Sequence, residues 1–440
     1  MSSVTRQPLL QRLVQVQRGE VSALVWSFLY FFSLLCGYYV LRPVRDEMGI
    51  QGGVENLQWV FSGTFVVMLA AVPLYGWAVA RLPRRRLLPA VYLFFIANLL
   101  GFYLFMRAGI APVAAARAFF IWVSVFNLFV VSVFWSFMAD IFSNAQARRL
   151  FGFIAAGGSA GAVTGPALTT LLAPQLGPTN LLLVSAGFLS ITLLCIARLL
   201  KGDAERPGGT AQTSAGAQGT GGGLWAGLRQ VLASRYLLGI CLYVLLYTTL
   251  STFLYFEQAH IVKAAFEDSG QRTAFFAGID LAVNTLTVLA QIFVTARVVR
   301  WLGVGGALAF LPLGVAAGLI ALGAFPGLVV LVTVQVLRRA GHYAVSRPAR
   351  EMLFTVVGRE ERYKAKSVID TLVYRGGDAA SAWLYTGLSA LGLGLSAIAF
   401  IGVPIALVWA YNGMRLGRRQ DRLRERINGR RRAEHGDETD

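Results

Sequence analysis

The sequence predicts an all-α integral membrane protein of about twelve transmembrane helices, arranged as two pseudo-symmetric six-helix bundles. Three observations carry this expectation. Only 14% of the 440 residues are charged while 56% are hydrophobic, and the mean hydropathy is +0.60; soluble chains carry roughly 25% charged residues. Apolar stretches of about 20 residues recur along the whole chain, each enough to cross a ~30 Å hydrocarbon core as helix. None shows the alternation of a barrel strand, and only helices or closed barrels satisfy their backbone within lipid.

In the first half, spans are expected near 21–41, 56–80, 87–106, 115–138, 151–173 and 179–198. The first follows an N-terminal tail, 1–20. It is too long for a signal h-region and lacks a small-residue cleavage site, so it reads as a membrane anchor. Arg81-Leu-Pro83-Arg84-Arg85-Arg86 closes the second span, and Arg148-Arg149 precedes the fifth. Residues 202–223 are Gly, Ala, Thr, Ser and Gln without aromatics, a linker that cannot bury a core. In the second half, spans are expected near 236–256, 273–296, 305–323, 326–346, 367–390 and 394–414, with Gly323-Ala-Phe-Pro326 alone dividing the ninth from the tenth. The domain reading is therefore a tail over 1–20, a bundle over 21–200, a linker over 201–235, a bundle over 236–414 and a tail over 415–440. That last segment alternates basic and acidic residues and reads as a solvated helix continuing the twelfth span, suited to anionic lipid headgroups.

A net charge of +18 would suggest nucleic acid in a soluble chain. Here it is explained by orientation. With the N-terminus inside, 33 of the 40 Lys and Arg fall in cytoplasmic segments; Arg42, Arg45, Arg107, Arg117, Lys263 and Arg272 fall in outer loops, and Arg375 alone lies within a span. Both termini are thus expected in the cytoplasm, and without an organelle-targeting segment the bacterial inner membrane is the expected location. An offset of 216 residues carries Arg81 onto Arg297, Arg148 onto Lys364 and Gly161 onto Gly377. A repeat on this scale is expected of transporters built from two six-helix halves around a central site.

Span 5 contains Gly157-Gly158-Ser-Ala-Gly161-Ala-Val-Thr-Gly165-Pro166. Gly161 and Gly165 share a helix face, where small residues let a neighbouring backbone approach, and Pro166 can kink the helix. Ionisable residues in or at the rims of spans are the sharper signal, being costly in lipid. These are Arg42, Arg45, Asp46 and Glu47 after span 1, Glu257 at the end of span 7, Asp280 in span 8, and Asp370, Arg375 and Asp378 in span 11. Arg375 and Asp378 are three apart and can pair on one helix face. Cys36, Cys195 and Cys241 lie far apart in apolar runs and read as packing residues. His260, His342 and His435 form no metal cluster, and no phosphate-cradling loop or nucleophile–base arrangement stands out, so neither cofactor nor catalysis is expected.

Gly76 through Arg86 resembles the signature between helices 2 and 3 of the major facilitator superfamily, with Ala80 and Pro83 where that family has Asp and Gly. The glycine-proline run of span 5 resembles its antiporter motif. Four further stretches resemble the nucleotide transporter family, the ATP:ADP antiporters of plastids and intracellular bacteria. They are Leu41-Arg42-Pro-Val-Arg45-Asp46-Glu47; Phe134-Trp135-Ser-Phe-Met-Ala-Asp140 with Ala147-Arg148-Arg149-Leu-Phe151-Gly152; Tyr236-Leu-Leu leading to Glu257; and Arg350-Glu351-Met352, Tyr363-Lys364-Ala-Lys366-Ser-Val-Ile369-Asp370 and Arg375. The resemblance implies a major facilitator fold and exchange of anionic, phosphate-bearing solutes, with Arg45, Glu257, Lys364, Lys366, Asp370 and Arg375 as the matched positions. Asp378 stands where that family has a lysine, which turns the expectation from a triphosphate to a smaller anion.

The expected function is secondary active transport of a small organic or phosphorylated anion, nucleotide included, by a monomer in membrane lipid. Arg42, Arg45, Glu257, Arg375 and Asp378 are the candidate substrate residues. Asp280, Asp370, Arg81, Arg148, Arg149, Lys364 and Lys366 are the candidate coupling or gating residues. The rival expectations are proton-coupled efflux of a drug or metabolite, favoured by Asp280, Asp370 and Asp378, and a non-transporting membrane scaffold or sensor, favoured by the basic tail.

Overall fold

The computed structural model describes residues 17–204 and 224–436, and among these nearly all are helical and none is in a strand. Residues 205–223 of the linker and the ends of both tails lie outside the described residues. Among the described residues ten helices are long and apolar enough to cross a membrane. One of them, α5 (Asn144–Ala204), is long enough for two crossings and is broken at Gly177, whose φ of 74° only glycine adopts readily. An eleventh segment, α13 (Tyr374–Ala390), is only 17 residues long but is continued at its start by a π-helical turn, Ile369–Val373, and α12 (Arg359–Val368). Twelve crossings result, as the sequence predicts.

The first six crossings are α1 (Val21–Gln51), α2 (Leu57–Arg81), α3 (Arg84–Arg107), α4 (Pro112–Ile141) and the two arms of α5. A short helix, α6 (Leu224–Ala233), precedes α7 (Arg235–Ala265). Then come α8 (Ser269–Phe293), α9 (Thr295–Ala324), α10 (Leu328–Gly341), a π-helical turn His342–Ser346, and α11 (Arg347–Leu353). The C-terminal helix α14 (Leu395–Gly436) runs unbroken from the last span into the tail, the continuation its sequence implies.

Two boundaries differ from the sequence reading. Helix α1 continues through Pro43 to Gln51, so Arg42, Arg45, Asp46 and Glu47 stand in the helix rather than in a loop after it. Arg338 and Arg339 are not cytoplasmic loop residues but buried members of the last turn of α10, so Arg375 is not alone among intramembrane arginines. The expected first span ends too early at its charges, and the expected tenth, 326–346, already encloses Arg338 and Arg339 although the charge count places them in the cytoplasm; in both places neighbouring side chains supply partners that let the helix carry cations inward.

The described residues form two compact units, 17–53 with 70–204 and 266–281, and 54–69 with 224–265 and 282–436. The start of the second span therefore belongs to the second unit and the start of the eighth to the first. The two exchanged segments largely superpose under the 216-residue offset.

The first unit is built on α1 against α5. A Cβ on Gly157 or Gly165 would stand 2.6–2.7 Å from the carbonyl oxygens of Phe28 and Cys36, and one on Gly161 would meet the Phe32 carbonyl and the Cys36 amide. The glycine run is thus a groove in which the α1 backbone lies. Aromatic rings fill the other side: Phe31 stacks on Phe134 at 4.0 Å and the Tyr30 and Tyr92 hydroxyls bond at 2.7 Å. The second unit has a glycine contact at the matching position, made to side chains rather than to backbone. Gly377 of α13 faces the Thr248 hydroxyl of α7, and Thr248 is Phe32 displaced by the same 216 residues. Its core centres on Trp409, fully buried, and Tyr243, whose hydroxyl bonds the Leu308 carbonyl and Ser346.

Candidate functional site

In the second unit, α7, α10 and α13 converge on a buried guanidinium. Arg338, 5% exposed, donates through Nη1 to Ser251 Oγ (2.9 Å) and through Nη2 and Nε to Gln335 Oε1 (2.7 and 3.2 Å). Gln335 is held in turn by donating to Gln258 Oε1 (2.7 Å) and the Leu254 carbonyl (3.1 Å). Every one of these acceptors is neutral, and among the described residues Arg338 forms no ion pair with an acid. Withdrawing an unpaired guanidinium from water costs several kcal/mol, so the network holds a positive charge whose counter-ion is not part of it.

Flat rings lie next to this charge. Tyr247 stacks on His342 at 4.0 Å with an 11° tilt, and Tyr374 stands 6.0 Å from Tyr247. His342 opens the π-helical turn after α10, and Tyr374 directly follows the one before α13. A π turn widens the helix by a residue and re-aims the side chains beyond it, which is why such turns recur at functional sites.

Of the residues singled out from sequence, Arg375 and Asp378 do pair, at 3.6 Å, with Arg375 also 5.5 Å from the Tyr374 ring. Asp370 pairs with Arg350 (3.1 Å), Lys366 with Glu351 (2.6 Å) and Lys364 with Glu360 (2.6 Å), a ladder of exchanged charges around α12. The Lys364 bond holds the exposed Glu360 carboxyl below its ordinary range. Glu257 stands two turns inside the end of α7, 1% exposed, with neither carboxyl oxygen hydrogen-bonded among the described residues.

In the first unit the charges at the far end of α1 meet the start of α8. Glu47, fully buried, accepts a two-pronged bond from Arg272 Nε and Nη2, both at 2.8 Å, while Arg272 also donates to the carbonyls of Phe266 and Glu267. Arg42 stands 3.5 Å from the buried Asp280; Arg45 pairs with Asp46 at 2.6 Å and lies over Phe120 at 5.1 Å. At the opposite, arginine-rich end, Arg149 pairs with Glu20 at 3.0 Å, Arg148 is exposed, and Arg81 lies over Trp77 at 4.9 Å. Burial pushes the Glu20 carboxyl up, but hydrogen bonds from Gln146 and the Gln17 amide, with Arg149, leave it below its usual value.

Sequence reasoning missed Arg338, Arg339, His342 and Arg272. The first two looked like a positive-inside loop and the last like an outer one. A signal was present in the 3-residue spacing of Gln335 and Arg338, which places an amide where it can bond the guanidinium on one helix face.

The family profile of the Major Facilitator Superfamily matches residues 21–382. No curated protein matches the sequence. Among solved structures, a bacterial homologue of the iron transporter ferroportin in its inward-facing state is similar with a TM-score of 0.63 at 14% identity, over 94% of this chain and 99% of that one. The nucleoside transporter NupG is similar with a TM-score of 0.61 at 13% identity, over 91% and 100%. A bacterial homologue of the human lysosomal transporter Spinster, inward-facing and unoccupied, is similar with a TM-score of 0.57 at 14% identity, over 92% and 99%.

Proposed function

Because this chain belongs to the major facilitator superfamily, we propose that it is a secondary transporter of a small organic anion, phosphorylated compounds included, working by alternating access. The observation that carries the substrate class is Arg338. Among the described residues this buried guanidinium is bonded only to neutral oxygens and meets no counter-charge, and a carboxylate or phosphate is the geometric match for its planar fork. Tyr247, His342 and Tyr374 offer ring faces to the organic part of such a solute. Arg375 is the second cation: its 3.6 Å contact with Asp378 is loose, and an arriving anion replaces Asp378. Arg45, the other residue the sequence favours, is engaged by Asp46 and serves entry rather than the central site. The Glu47–Arg272 fork and the Arg42–Asp280 pair join a helix of the first sequence half to one of the second. They are the bonds that part when the two six-helix halves rock.

The test is counterflow in proteoliposomes, with unlabelled anion inside and labelled anion outside, beginning with adenine nucleotides and proceeding to smaller phosphorylated and carboxylic anions. Exchange that saturates, and that Arg338→Gln abolishes in protein that still folds, is the expected result. Undiminished exchange by that variant would remove Arg338 from the site. Transport that survives Arg375→Ala would likewise remove Arg375.

A specific observation supports a proton-coupled version. Glu257 is a buried carboxyl with no hydrogen-bond partner among the described residues, a group able to exchange a proton with a passing solute pathway. If an imposed proton gradient leaves uptake unaltered in wild type, Glu257 has no coupling role.

A further inference from the structure

We infer that the cleft between the start of α7 and the middle of α14 is a binding site for an anionic glycerophospholipid, with the phosphate held by Arg235, Arg415 and Arg419. The cleft has a volume of about 290 Å³ and lies on the second unit at the arginine-rich end of the spans. Its rim is cationic. Arg235 and Arg415 are exposed, Arg419 is half-buried and donates to the Arg235 carbonyl at 3.4 Å, and among the described residues none of the three forms an ion pair. Its floor is apolar and preformed: Leu416 is 1% exposed and packs directly over Gly239, where a Cβ would stand 2.9 Å from it. Asn412 fixes the two helices across that floor by donating to the Gly239 carbonyl at 2.9 Å.

The pattern along α7 identifies the ligand as amphipathic. Arg235, Leu238 and Leu242 recur at three and four residues and so share one face, with the cation at the helix end and two leucines, 39% and 42% exposed, leading into the span. A free phosphate would use the cations and ignore the leucines. A phospholipid uses both, its phosphodiester at the rim and an acyl chain along the leucine face. Basic pockets between transmembrane helices at the cytoplasmic side hold lipid headgroups for the same reason, since the charge lies at headgroup depth and is little screened there. Beyond Arg415 and Arg419, the tail over residues 415–426 adds four further arginines against two acids.

The experiment measures lipid binding by the full chain in neutral detergent, through retention in native mass spectrometry and through the shift in melting temperature. Phosphatidylglycerol, phosphatidylcholine and inorganic phosphate are each added to wild type, to Arg235→Gln/Arg415→Gln/Arg419→Gln, and to the control Arg85→Gln/Arg86→Gln/Lys201→Gln. Each arginine near an anionic surface contributes a factor of roughly five, so the triple variant should bind phosphatidylglycerol on the order of a hundredfold more weakly. Phosphatidylcholine and phosphate should stabilise wild type little, and the control variant should behave as wild type. Equal retention by the triple variant overturns the site. So does equal stabilisation by inorganic phosphate, or an equal loss in the control, which would mean a diffuse cationic surface. Should the triple variant fold poorly, the single Arg415→Gln still has to show the roughly fivefold loss. None of these outcomes depends on the transported substrate.

Discussion

The Glu47–Arg272 fork allows the sharpest test of the packing. Glu47 is fully buried in α1, and its two oxygens each receive a bond from Arg272 at 2.8 Å. Replacing Arg272 by Met keeps an unbranched apolar stem but removes both bonds, together with those to the Phe266 and Glu267 carbonyls, and leaves a buried carboxylate without a counter-charge. Breaking one partner of a buried pair costs about 3–5 kcal/mol, mostly as the desolvation of the abandoned charge. Replacing the carboxylate as well, in Arg272→Met/Glu47→Gln, takes that charge away, and neutral replacements of both partners are often near-neutral. The double variant should therefore be more stable than Arg272→Met alone, with a coupling on the order of 2–3 kcal/mol. Equilibrium unfolding by denaturing detergent in mixed micelles measures all four corners of the cycle. A loss below about 0.5 kcal/mol for Arg272→Met, the level of an ordinary surface change, would refute the argument, and so would a double variant no better than the single.

Three further outcomes are expected. Gly161→Ala should destabilise the first unit by about 1–3 kcal/mol, because its Cβ meets α1 backbone, which cannot rotate away. The control Gly187→Ala, where nothing lies within 4 Å, should be neutral or stabilising in the same unfolding assay. Glu20, whose carboxyl is held below its usual value, adds stability that is present above the unfolded carboxyl's titration near about 4.3 and is lost as pH falls through the lower folded value. Glu20→Gln should flatten that acid limb of the melting-temperature profile, and an unchanged limb would show that other carboxyls set it. Tyr247→Ala removes the ring stacked on His342 and should weaken counterflow chiefly through substrate affinity, whereas Tyr103→Ala, outside the site, should leave transport as in wild type.

The sequence by itself determined the class of fold. Low charge and repeated apolar runs suffice for twelve crossings, because a lipid solvent forces every span into helix and the period and length of such spans are local properties. The glycine run of span 5, the Arg375–Asp378 spacing and the 216-residue repeat are local or periodic too, and each has its counterpart in the packing: a groove for α1, a 3.6 Å pair, and the matched contacts of Gly161 and Gly377. Which charges are interior follows from contacts between distant parts of the chain. Arg338 and Arg272 read as loop cations because composition cannot register a partner brought from 87 or 225 residues away. Ser251 and Gln335 make a buried guanidinium tolerable at one place and Glu47 at the other. Whether an arginine ends a helix or crosses into the core depends on those distant atoms, since the desolvation of a charge is offset only by groups that the fold carries to it.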